Sequence, residues 1–252
     1  MALDAFSRLE MLVGYEAMEK LHASHVAVFG VGGVGGYAVE ALVRSGIGSL
    51  DLIDHDDVAL TNLNRQIIAD HQTMGKAKVD VFKERIQAIS PATHVKTYQS
   101  FYLPEKKDQF DFEQYDYILD AIDTVTAKLD LIVTAQAYHI PIISALGCGN
   151  RLDPSYVRCT DLYETVNDPL AKIMRRECRK RQIDHLKVVY SCEKPMKPDF
   201  TGPNGEAFRQ EKEESGRRAL PGSSIFVPAS AGLRMGYEVV HDLINEKETD
   251  PD

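Results

Sequence analysis

The chain has 252 residues, 44% of them hydrophobic, and a formal net charge of −9. That length suits one large α/β domain with an extension, and the hydrophobic share suits an ordinary globular core. The acidic balance excludes a surface that is basic throughout, and no apolar run approaches the roughly 20 residues that span a membrane.

The N-terminus, MALDAFSRLEML, lacks a basic start and a longer apolar core, so a signal peptide is not expected. Cytoplasmic location and free thiols follow as the expectation. The first 22 residues place Leu9, Leu12, Val13 and Met18 near a 3.6-residue period and predict helix. Residues 25–29 form a short buried-type strand, and 30–36 a glycine turn. Residues 34–44 then put Val34, Ala38, Ala41 and Leu42 on one helical face. Positions 50–53 make a second strand ending in Asp54. After Gly75, the residues Val79, Phe82, Ile86 and Ile89 form an apolar helical stripe, which Ser90-Pro91 ends. Strands are expected at 95–98, 117–122 and 140–144, with a helix over 127–138. Strands alternating with helices predict an α/β fold built on a parallel, doubly wound, Rossmann-like sheet.

The second half is less regular. Strands are expected at 156–160 and 188–191. Asp168-Pro169 starts a helix, with Asp as N-cap and Pro at the first helical position. Residues 193–223 are rich in Pro, Gly and charge and predict a long mobile loop, disordered until something binds. A last strand at 225–227 and a helix at 229–244 form a C-terminal extension. Residues 1–246 thus read as a single domain, and 247–252 as a frayed tail.

The chemistry concentrates between Val26 and Asp123. Gly30, Gly32 and Gly35 form G-x-G-x-x-G, with Gly33 and Gly36 added. Glycines there let the backbone turn tightly and approach a phosphate at a helix N-terminus. Alone, this run fits an NAD or FAD fold equally well. Asp54, at the end of the second strand, can hold both ribose hydroxyls, and it fits NAD too. The discriminating part is D-x-D-x-V-x-x-T-N-L-N-R-Q, which carries Asp54, Asp56, Asn62, Asn64, Arg65 and Gln66. GKAK follows with Lys76 and Lys78, then LDAIDT with Asp123. Arg65 and Lys78 could neutralise a triphosphate, and Asp123 could hold Mg²⁺ on it. Attack at phosphorus is mostly positioning and charge stabilisation, which these groups supply. No Walker A loop is present, which disfavours a P-loop ATPase.

Together these motifs resemble the ubiquitin-activating-like adenylyltransferases, a family that includes molybdopterin- and thiamine-pathway enzymes. The resemblance covers roughly residues 8–143. It implies activation of a carboxylate as an acyl-adenylate with release of pyrophosphate. It also implies that the glycine turn with Gly33, Asp54, Asn62, Asn64, Arg65, Lys78 and Asp123 binds MgATP. Such enzymes are usually homodimers in which an N-terminal arginine reaches the neighbour's γ-phosphate, and Arg8 is the candidate here.

The carrier-protein branch usually carries two Cys-x-x-Cys pairs for zinc. Here Cys148, Cys159, Cys178 and Cys192 form none, so no zinc site is expected. RSGIGSLDLIDHDDV, TNLNRQI, LDAIDT, DPLAKIMRRECRK, VVYSCEKP and SSIFVPASAGLRMGY resemble instead the zinc-free branch typified by the tRNA threonylcarbamoyladenosine dehydratases. That resemblance implies ATP-dependent ring closure of a threonylcarbamoyl group on tRNA. The nucleophile is intramolecular, so effective molarity is high and no enzyme thiolate is required. Cys148, in ALGCGN, reads as lining of the site. Cys192 reads as a buried or incidental thiol, with the alternative that it matches the thioester cysteine that carrier-activating relatives place in similar territory.

Between Lys172 and Lys187 seven basic residues face two acidic ones, Glu177 and Asp184. With the resemblance, Lys172, Arg175, Arg176, Arg179, Lys180 and Arg181 read as tRNA-phosphate contacts, with Arg217 and Arg218 as possible additions. Two rivals stay open: an adenylyltransferase for the Gly-Gly end of a ubiquitin-like sulfur carrier, and a nucleotide-binding module without catalysis. An NAD oxidoreductase stands third. A monovalent cation and a sulfur-trafficking protein partner are open as further requirements. Membrane insertion of the last helix is not expected, because Arg234 and His241 lie within it.

Overall fold

Short apolar runs pair side by side to make the centre of the molecule. The computed structural model describes residues 3–214 and 221–245. Strands β1 (His25–Phe29), β2 (Ser49–Ile53), β3 (His94–Tyr98), β4 (Tyr117–Asp120), β5 (Ile142–Ala145), β6 (Val157–Asp161) and β7 (Lys187–Ser191) form one sheet in the order β3-β2-β1-β4-β5-β7-β6. Neighbours are parallel up to β7, and β6 alone runs antiparallel, against β7. The parallel expectation therefore holds except at that edge. The chain passes from β6 to β7 through the helix Pro169–Lys180, and an antiparallel edge strand of this kind is common on otherwise parallel sheets. The strand order reverses between β1 and β4, and ligands in doubly wound sheets bind at the strand ends of such a reversal.

Helices cover both faces: α1 (Ser7–Val13), α2 (Tyr15–Ala23), α3 (Gly35–Arg44), α4 (Lys78–Ile89), α5 (Val125–Ala137), α6 (Pro169–Lys180), α7 (Gly205–Glu214) and α8 (Phe226–Asn245). One core layer joins Val28, Leu42, Leu52, Phe82 and Met235 beneath α3, α4 and α8. A second packs Phe29, Tyr102, Phe110 and Phe112 beneath α5, and a third packs Leu162, Met174 and Ile183 beneath α6. Helix α8 lies close on α3: a side chain at Gly232 would collide with the Val34 carbonyl oxygen, and one at Gly236 would lie 2.5 Å from Ala41 Cβ. The Tyr117 hydroxyl and Lys187 Nζ each donate to Asp242 at 2.7 Å and pin the far end of α8 to the sheet.

Three expectations are corrected. The N-terminal helix is two helices, parted at Gly14, whose φ is +88°. The strand expected at 225–227 is the run-in and first turn of α8. Pro228 sits in that first turn, where no N–H is required. The stretch 193–223 is not a loop throughout, because α7 forms within it and Phe208 N donates to the Asn204 carbonyl at 3.0 Å. Residues 215–220, with Arg217 and Arg218, and the tail 247–252 lie outside the described residues. Among the described residues no helix is long and apolar enough to cross a membrane.

Candidate active site

The glycine turn joins β1 to α3 at the point where the sheet reverses. Gly30 has φ +90°, a region that L side chains rarely adopt, and any Cβ there would lie 2.7 Å from the Ala121 carbonyl oxygen. A Cβ at Gly35 would fall on the Gly30 carbonyl oxygen, so the turn closes only with glycine at that position. A Cβ at Gly32 or Gly33 would meet only ordinary van der Waals contact: the Gln66 amide nitrogen at 3.8 Å for Gly32, and Pro228 Cβ at 3.5 Å and Arg65 Cγ at 3.6 Å for Gly33. The outcome is a half-buried glycine backbone ahead of a helix N-terminus, a geometry that receives anions.

Asp54 leaves the end of β2 toward this turn. One carboxylate oxygen accepts from Val31 N at 2.8 Å and the other from Asp56 N at 2.9 Å. Each oxygen keeps a lone pair for a ribose hydroxyl. Lys78, at the start of α4, is 4% exposed and places Nζ 2.6 Å from Asp56 and 3.9 Å from Asp54. An ammonium this deep requires such partners. Asp54, His55 and Asp56 also come within metal-ligating distance of one another.

The TNLNRQ segment sits opposite. Asn62 is buried and accepts from Ala59 N at 3.1 Å, holding the short turn Leu60–Asn62 in shape. Arg65 donates to the Thr61 carbonyl at 2.7 Å and to Asn64 Oδ1 at 3.0 Å. Asn64 donates to the Ser223 carbonyl at 2.9 Å, so its amide ties the segment to the chain just ahead of α8. Asp123 is exposed after β4, and Thr124 Oγ1 donates to it at 3.3 Å. Gly33, Arg65, Asp54, Asp56 and Lys78 therefore gather around the glycine turn. Asp123 stands two residues beyond Ala121, whose carbonyl oxygen packs on Gly30. Arg8 is exposed on α1 and gives no hydrogen bond or ion pair to this group.

The basic residues of α6 line a cavity of about 390 Å³ made by Lys172, Ile173, Arg175, Arg176 and Arg179. Glu177 engages Arg176 at 3.0 Å, Lys180 at 2.9 Å and Arg181 at 3.2 Å. The hydrogen bond from Lys180, followed by those from Arg181 and Arg176, pulls its carboxyl down to about 2. Arg175 donates to the Thr165 carbonyl at 2.9 Å, and Arg179 lies over the Tyr163 ring. Cys148 is buried, and burial pushes its thiol up to about 12.

Sequence reasoning passed over two buried ion pairs beside the site. Arg151 donates to the Glu193, Gly149 and Asn167 carbonyls and lies 3.7 Å from Asp168, which caps both Gly147 N and Leu170 N. Lys128 pairs with Asp120 beneath Asp123. The available signals were an arginine inside the glycine-rich GCGNR and a lysine on an otherwise apolar helix face.

The sequence model of the ThiF family matches residues 6–219. The chain belongs to the ThiF family. It is similar to the tRNA threonylcarbamoyladenosine dehydratase of Bacillus subtilis (strain 168), with 41% identity over 249 residues, 98% of this chain and 97% of that one. The Escherichia coli (strain K12) protein of the same name is 40% identical over 174 residues, 69% of this chain and 65% of that one. The solved structure of the E. coli dehydratase TcdA in complex with ATP superposes with a TM-score of 0.82 at 32% identity, covering 95% of this chain and 93% of that one. This member of the ThiF family therefore shares the mixed α/β fold and the mostly parallel seven-stranded sheet of that structure.

Proposed function

We propose that this chain cyclises N6-threonylcarbamoyladenosine beside the tRNA anticodon, with ATP activating the carboxylate. The carrying observation is similarity along nearly the whole chain to the B. subtilis dehydratase, joined to a glycine turn ringed by Asp54, Lys78 and Arg65. A carboxylate oxygen of the threonyl group attacks the α-phosphorus of ATP, and pyrophosphate leaves. A urea atom of the same side chain then attacks the activated carbonyl carbon and gives up its proton. AMP departs with the carboxylate oxygen, and the nucleoside has lost one water. Ring closure within one side chain needs positioning more than a protein nucleophile.

The residues fit that work. The half-buried backbone of Gly32 and Gly33 and the N-terminus of α3 receive phosphate, and Asp54 holds the ribose. Asn62 and Asn64 shape the opposite wall, and Asp56 sets the Lys78 ammonium. Lys78 and Arg65 stabilise the charge that builds on the phosphates. Asp123 offers an exposed carboxylate, and Mg²⁺ is usually bound by one or two carboxylates together with substrate phosphates. Magnesium bound there would supply charge neutralisation on the departing pyrophosphate. Arg8 would reach the site of a second copy in a homodimer, and the basic cavity on α6 would receive tRNA phosphates. The setting is the cytoplasm, where such tRNA is found.

The test is purified protein with MgATP and tRNA bearing threonylcarbamoyladenosine, followed by nucleoside mass spectrometry. The expected result is ATP-dependent loss of one water. No mass change with ATP still bound would overturn the substrate and turn attention to a Gly-Gly-ended carrier protein.

A further inference from the structure

Lys128 and Asp120 are both 0% exposed, with Nζ 2.8 Å from Oδ2. Ser144, on the neighbouring strand β5, donates its hydroxyl to the same oxygen at 2.7 Å. Both members of the pair also bond the backbone of Ile122, one through each of the two peptide groups that flank its Cα. Asp120 Oδ1 accepts from Ile122 N at 3.1 Å, and Lys128 Nζ donates to the Ile122 carbonyl at 3.1 Å. Ile122 is thus gripped on both sides, and the next residue is Asp123. The turn is also pressed against the glycine turn. Ala121 N donates to the Phe29 carbonyl at 2.8 Å, and the Ala121 carbonyl fills the space that a side chain at Gly30 would need.

Taking two charges out of water is expensive, and apolar residues of similar volume often replace a buried pair without loss of stability. What an apolar pair cannot do is hold the two peptide units that flank Ile122 in one orientation. We infer that Lys128, through Asp120 and Ser144, is a positioning residue that fixes Asp123 relative to the glycine turn. This rests on the nucleotide reading above, in which Asp123 holds Mg²⁺. Lys128 touches no reactant and acts only through the backbone of Ile122. Its grip fixes the separation between the metal ligand and the phosphate cradle, where a displacement of about 1 Å costs on the order of a hundredfold in rate.

Two variants test this. Asp120→Leu combined with Lys128→Met exchanges both charges for apolar groups, and Ser144→Ala removes one arm while leaving the pair. Two readouts apply to each folded variant: hydrogen exchange of the Ile122 amide in ligand-free protein, and the Mg²⁺ dependence of ATP binding. The double variant is expected to exchange Ile122 at least about tenfold faster and to need about tenfold more Mg²⁺, with smaller shifts in the same direction for Ser144→Ala. Wild-type exchange in the variants that fold would overturn the inference. Faster exchange with wild-type Mg²⁺ dependence would overturn it too, because the clamp would then hold the turn without placing Asp123. Wild-type protein that binds MgATP but leaves the tRNA nucleoside unchanged would remove the proposed substrate and leave this inference standing.

Discussion

Lys78 Nζ lies 2.6 Å from the Asp56 carboxylate while almost wholly excluded from solvent. The ammonium is therefore fixed in place before any phosphate arrives, and none of its orientation is left to be settled in the transition state. Lys78→Met is expected to lower turnover by about 10²-fold or more, the scale of losing one preorganised charge-stabilising group. Asp56 is half exposed and can turn to water, so the fold should survive. Steady-state kinetics with circular dichroism on the same sample checks both halves.

Asp123→Asn keeps the shape of an exposed side chain and removes its charge. Turnover should collapse while the thermal unfolding midpoint stays near wild type. A variant with wild-type rates would remove Asp123 from the mechanism.

Gly35→Ala puts a methyl group onto the Gly30 carbonyl oxygen, a backbone atom that cannot swing aside. Forced overpacking of this kind costs about 1–3 kcal/mol or more, and relief must come from opening the turn. Loss of ATP binding by calorimetry, together with a lower unfolding midpoint, is the expected pair of results. Gly33→Ala meets nothing closer than 3.5 Å and should cost little stability.

Charge removal on α6 separates tRNA contact from nucleotide chemistry. Lys172→Ala and Arg179→Ala should each weaken tRNA binding and reduce the slope of log K against log salt by about 1. ATP affinity measured without tRNA should not change. An unaltered salt slope would leave these residues as a solvated helix face.

Burial lifts the Cys148 thiol to about 12 and the Cys159 and Cys178 thiols to about 11. For an acid whose pKa is raised, the neutral thiol persists until the pH climbs toward those values, so almost no thiolate exists near pH 7. Mild iodoacetamide at pH 7 should leave all three unmodified and turnover intact. Cys192→Ser should likewise retain activity. Inactivation on modifying Cys192 would bring back thioester chemistry and a protein carrier.

The strands and the turn between Val26 and Asp54 were legible because their cues are local. An apolar run, glycines and a terminal Asp each report their own backbone setting. The helix at Gly205–Glu214 was hidden because polar, glycine-bearing composition was weighed above its start at Asn204 and its run of good helix formers. Positions 225–227 misled in the opposite sense: Ile-Phe-Val reads as strand by composition, yet packing of α8 on α3 decides the conformation. The buried pairs Lys128–Asp120 and Arg151–Asp168 join residues from different elements. No single window of sequence contains the contact that gives either pair its meaning.

The close seat of α8 on α3 through Gly232 and Gly236 has a bearing on how this chain tolerates change. Sliding α8 by one residue would drive Leu233 or Tyr237 into the α3 backbone, so the helix docks in one register whatever the length of chain leading to it. Pro228 consequently stands at the same spot beside Gly33 regardless of what happens upstream. Extra residues inserted among the exposed positions 197–199 or 201–203 are absorbed before they reach the helix. Changes of length confined to those exposed positions therefore leave the surroundings of the glycine turn with their dimensions.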